Sequence, residues 1–98
     1  MPADRYDVSA SLAARERFRH AIEKARVAGQ FDVAVQAAKW IREELARTPL
    51  EFGESREVLP AMQLQVRVAF VRPLGVKFGV HEVEKKVFIT SFMYCGNE

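Results

Sequence analysis

The chain has 98 residues, a formal charge of +2, a pI near 8.9 and 49% hydrophobic residues. That is one domain's worth of chain, able to bury a core without disulfide or metal staples. Fifteen Lys and Arg stand against thirteen Asp and Glu, a near-balance that points to a mixed solvated surface rather than the clustered basic stripe of a phosphate-binding domain.

No run approaches the roughly 20 apolar residues that span a bilayer. Met1 to Ala14 lacks a charged-then-apolar signal pattern. Cys95 is the one cysteine, so no internal disulfide can form and the thiol is expected to be free near the chain end. These features lead to the expectation of a cytoplasmic protein with no membrane partner.

The first residues are polar and contain Pro2; residues 1–4 are expected to be flexible. Arg5 to Ser9 reads as a short strand with Tyr6 and Val8 on one face. Ser9 or Ser11 then offers an N-cap. From about Ala10 to Ala28, Ala14, Phe18, Ala21, Ile22, Ala25 and Ala28 recur at spacings of three and four, which makes one apolar helical stripe. Arg19 and Glu23, four apart, are placed to pair on its surface. Gly29 ends this helix. Asp32 is the expected N-cap of a second helix running to about Thr48, with a stripe of Ala34, Ala37, Ala38, Ile41 and Leu45 and Trp40 at its edge. Pro49 stops it. The pair reads as a helical hairpin.

The period then changes. Pro49 to Glu54 is a loop, Ser55 to Leu59 a short strand, and Pro60 its end. Gln63 to Arg72 alternates: Leu64, Val66, Val68 and Phe70 point one way, Gln65, Arg67, Ala69 and Val71 the other. Pro73 breaks this strand and Leu74-Gly75 are read as the turn. Val76, Phe78 and Val80 alternate with Lys77, Gly79 and His81. Glu82 to Lys85 form a charged turn, and Lys86 to Tyr94 a last strand rich in β-branched and aromatic residues. The order is β-α-α-β-β-β-β in a single domain, residues 1–98. The fold class is α+β, a two-helix hairpin packed on a curved antiparallel sheet. The apolar face, with Leu64 to Phe70 and Val76 to Val80 as donors, is expected beneath the helices. The opposite face, carrying Arg67, Lys77 and His81, is where function is expected.

This order of elements and several local phrases resemble the RelE/ParE toxin superfamily. The phrases are Tyr6-Asp7-Val8-Ser9 leading into a helix, and Arg47-Thr48-Pro49-Leu50-Glu51-Phe52-Gly53 after the second helix. The arginine-bearing strand Leu64-Gln65-Val66-Arg67-Val68 and the hairpin from Val76 to Ile89 complete the likeness, which covers nearly the whole chain and is topological. The resemblance implies a bacterial toxin–antitoxin (plasmid stabilisation) module with an antitoxin as partner. Its target would be messenger RNA on the ribosome or DNA gyrase. Cleavage of RNA needs cations to stabilise a charged phosphate and a group that moves the 2′-hydroxyl proton. By resemblance Arg67, Lys77 and Tyr94 are the candidate catalytic residues. The basic phrase of the family's last strand is replaced here by Phe88-Ile89-Thr90-Ser91-Phe92-Met93-Tyr94. A second reading therefore stands beside the first: a non-enzymatic interaction module on the toxin fold.

Other candidates read as structural. His81 precedes a turn with no sequence neighbour to orient it, and His20 lies in the first helix. Two histidines and one cysteine, far apart, make no metal-ligand spacing. No cofactor is expected. Trp40 is read as core. The last strand, ending in Phe92, Met93 and Tyr94, is expected to offer a free edge through which a homo-oligomer could form.

Overall fold

The computed structural model describes residues 5–96; the expectation of flexibility at residues 1–4 lies outside them. The elements are β1 (Asp7–Ala10), α1 (Leu12–Val27), α2 (Phe31–Arg47), β2 (Glu54–Leu59), β3 (Leu64–Val71), β4 (Leu74–His81) and β5 (Lys86–Tyr94). Short 3₁₀ turns at Pro49–Glu51 and Pro60–Met62 flank β2. The α+β class and the order of elements are those expected.

The sheet is mixed rather than antiparallel throughout. Its order is β1-β5-β4-β3-β2. β1 pairs in parallel with β5, Asp7 opposite Lys86 and Ala10 opposite Ile89, while the remaining pairs are antiparallel. An alternating tetrapeptide reveals that it is a strand but not which neighbour it joins. β5 is therefore an inner strand along Lys86–Ile89, and the edge strands are β1 and β2. The expected free edge of β5 is confined to the residues past Ile89, where β1 has given way to α1.

Helix boundaries follow local chemistry. Ser11 caps α1: its Oγ accepts from the amide of Ala14 at 3.0 Å. After α1 the chain turns through Gly29 at φ 77°. α2 begins one residue earlier than its proposed cap. Gln30 occupies the cap position without a side-chain capping bond, and Asp32 sits inside the first turn, where its carboxylate favours the helix dipole. Arg19 and Arg26 pair with Glu16 and Glu23 at i,i+3, so Arg19 does not pair with Glu23.

The core joins Ala14, Ala21 and Ala25 of α1, and Ala34, Ala37, Ile41 and Leu45 of α2, to the sheet residues Ala69, Leu74, Val76, Phe78, Val80, Val87 and Ile89. The alanines let the helices approach the sheet closely, and burial of the larger side chains contributes about 1.5–3 kcal/mol each. Trp40 is not core; it is 58% exposed on the outer side of α2.

The face of β3 that meets the helices is the reverse of the one expected. The turn between β3 and β4 is Arg72-Pro73, with a cis peptide bond, and β4 starts at Leu74. A two-residue turn pairs odd positions of β3 with even positions of β4: Val71 with Leu74, Ala69 with Val76, Arg67 with Phe78. Arg67, Ala69 and Val71 therefore share the helix-facing side with Leu74, Val76 and Phe78. Leu64, Val66, Val68 and Phe70 face away. In β5 an extra residue at Thr90 shifts the register, so Phe78 pairs with Ile89 and Lys77 with Ser91. The Thr90 hydroxyl donates to the Lys77 carbonyl at 3.2 Å. Past this bulge Phe92 and Tyr94 continue the helix-facing side.

Candidate partner-binding site

The three residues singled out from the sequence do not meet. Arg67 is buried, with 8% of its surface exposed, on the helix-facing side. Its Nε donates to the Phe52 carbonyl at 3.0 Å and its Nη2 to the Gly53 carbonyl at 2.9 Å, and Nη1 donates to the Gln65 side-chain oxygen. The guanidinium thus clamps the loop before β2 onto the sheet. The expectation that Arg67 lies on an open face is corrected by the β3–β4 register.

Lys77 is exposed on the opposite face of the sheet. Tyr94 is half-buried on the helix side, opposite Leu74 and thus four positions along β4 from the Arg67–Phe78 pair, and its hydroxyl donates to the Gln30 side chain. The family-derived trio is thus split between two faces, and two of its members are held by hydrogen bonds within the fold. His81 also has a local partner: its Nδ1 accepts from the Glu84 amide at 3.2 Å, closing the β4–β5 turn. Among the described residues no group of His, Cys, Asp or Glu is placed to hold a metal ion.

A concave feature lies elsewhere. α1 rests chiefly on β5, while α2 touches β1, β3 and β4, and an open cleft of about 670 Å³ is lined by residues of both helices, β1 and β5. Phe18, Ile22, Val35, Ile41, Ile89 and Phe92 give it an apolar lining. Phe18 and Phe92 form a tilted pair within it, ring centroids 4.9 Å apart and planes 59° from parallel. Phe31, 42% exposed, stands at the mouth with the Arg26 guanidinium 5.8 Å from its ring.

Charge on this cleft has one sign. Arg15, Lys39 and Arg42 line it, and no carboxylate does. None of the three cations joins an ion pair among the described residues, whereas Arg5, Arg19, Arg26 and Arg47 each have a carboxylate partner. An apolar floor with unpaired cations at its rim suits an amphipathic segment with carboxylates beside its apolar side chains. The sequence carried a signal for this: Phe31, Val35, Lys39 and Arg42 fall on one side of α2, beside its core stripe and adjoining it at Ala38.

No family model matches the sequence, and no curated protein does. Among solved structures the chain is similar to a chain of the chromosomal ParDE TA system from P. aeruginosa. That match has a TM-score of 0.62 and 15% sequence identity, and it covers 96% of this chain and 100% of that one. At this identity the likeness is one of fold, and over nearly its whole length the chain shares the fold of that ParDE chain.

Proposed function

We propose that this chain is the toxin of a bacterial toxin–antitoxin module and acts by gripping other proteins rather than by cutting RNA. The observation that carries this reading is the engagement of Arg67: its three donating nitrogens are bonded to Phe52, Gly53 and Gln65 beneath the helices. A guanidinium so engaged is not available to a phosphate, and Lys77 lies on the other side of the sheet. The α1/α2 cleft is the antitoxin's seat in this reading, with Arg15, Lys39 and Arg42 meeting its carboxylates. The target is a protein of the cytoplasm, and the likeness to a ParDE chain makes DNA gyrase the first to test.

Induced expression in bacterial cells, with growth, transcript integrity and DNA integrity followed together, tests the proposal. Growth arrest with intact transcripts and damaged DNA is the expected result. Transcript cleavage would transfer the chain to the ribonuclease class, and unimpaired growth would remove the toxin reading in that host.

A further inference from the structure

The face of the sheet turned away from the helices has an apolar middle and, among the described residues, carries no layer of its own. Leu64, Val66, Val68 and Phe70 run along β3, with Phe88 and Met93 beside them on β5. Phe70 is 56% exposed, Phe88 39% and Met93 36%. β4 contributes Gly75 and Gly79 between them. A Cβ at Gly75 would lie 2.8 Å from the Phe70 ring and 2.9 Å from the Met93 side chain, so both lie directly over bare backbone. Leu64 lies over Gly79 in the same way, 3.6 Å from where a Cβ would sit. The glycines thus turn separate side chains into one apolar surface across three strands, of a kind that marks an interaction site on a folded domain.

Two of its charges, Glu54 and Lys77, are placed for self-recognition, beside Glu57 opposite Val66 and Lys86 opposite His81 on the same face. Glu54 on β2 pairs in register with Val68 on β3, and Val68 pairs with Lys77 on β4. Glu54 and Lys77 therefore flank Val68 symmetrically on one face. Lys77 has no ion pair among the described residues, and Glu54 is exposed, 4.0 Å from Arg56. A two-fold axis laid along β3 brings β2 of one copy over β4 of the other. Glu54 of each copy then meets Lys77 of its mate, and the β3 apolar row meets itself along the axis. An isologous contact needs this self-complementarity, and aligned sheet-on-sheet packing supplies the geometry.

We infer that the open sheet face is the interface of a homodimer, with β3 on the two-fold axis and Glu54–Lys77 pairs on either side. Sedimentation of the full chain over a range of concentrations tests this, with circular dichroism to confirm that each variant is folded. The wild type forms dimers. Lys77→Glu and Glu54→Lys each weaken association about tenfold or more, because each sets like charges together twice. The doubly reversed variant, Lys77→Glu with Glu54→Lys, regains it. Phe70→Glu is monomeric; should it fail to fold, the charge reversal decides alone. A wild type that stays monomeric at every concentration would overturn the inference. So would a dimer indifferent to all these changes, or single reversals that the double does not rescue.

Discussion

The Nε of Arg67 donates to the backbone carbonyl of Phe52 across fifteen residues of chain, at 3.0 Å. With the parallel bond to Gly53, the side chain best suited to phosphate chemistry instead holds a loop in place. Its removal leaves two carbonyls short of a donor in a partly buried setting. Arg67→Ala is expected to lower unfolding free energy by about 3 kcal/mol. Arg67→Lys, which keeps the charge but loses the planar fork, is expected to lower it by about 1–2 kcal/mol. Urea unfolding measures both. A catalytic arginine would show the opposite signature, unchanged stability with lost activity.

Gly53 makes the Arg67 clamp possible. Its φ is 76°, and a Cβ there would lie 2.3 Å from the Val68 carbonyl oxygen. Gly53→Ala combines backbone strain with a clash against a neighbouring strand. A loss of about 2–4 kcal/mol is expected, read as a lowered melting temperature.

The Tyr94 hydroxyl reaches Gln30 in the connection between the helices, 64 residues away in sequence. Tyr94→Phe is expected to cost about 1 kcal/mol, and Gln30→Ala a similar amount. In a double-mutant cycle the two effects should be sub-additive, with about 0.5–1 kcal/mol of coupling. Additive losses would mean that the bond contributes nothing.

The α1/α2 cleft makes a prediction about neutralisation. Lys39→Glu with Arg42→Glu changes exposed side chains without ion partners, so stability should stay within about 0.5 kcal/mol of wild type. Cells expressing this variant should remain arrested when the product of a short adjacent reading frame is supplied, while cells expressing the wild type recover. Equal recovery of both would place the antitoxin elsewhere.

Much of this fold was legible in the residues. The periodicities of α1 and α2, the stop at Pro49 and the charged turn before Lys86 are local signals, and local signals translate directly into elements. What misled was a strand with two apolar faces. β3 offers Leu64, Val66, Val68 and Phe70 on one side and Ala69 and Val71 on the other, so alternation alone does not say which side is buried. The deciding fact is the length of the Arg72-Pro73 turn, which sets the parity of the pairing. With the turn placed at Leu74-Gly75, Arg67 lands on the wrong face and a site is assembled from residues that never meet. The cleft was missed for a different reason. It is lined from two helices and two strands at once, a tertiary relation that neither helix's periodicity encodes.

The central claim, a toxin fold that works by contact and not by cleavage, is tested most directly by comparing two inductions in bacterial cells. One expresses the wild type, the other the Lys77→Ala, Tyr94→Phe variant, and transcript length is read alongside growth. Both are expected to arrest growth equally with full-length transcripts. Transcripts cut by the wild type and spared by the variant would contradict the account and restore a catalytic role to those two residues.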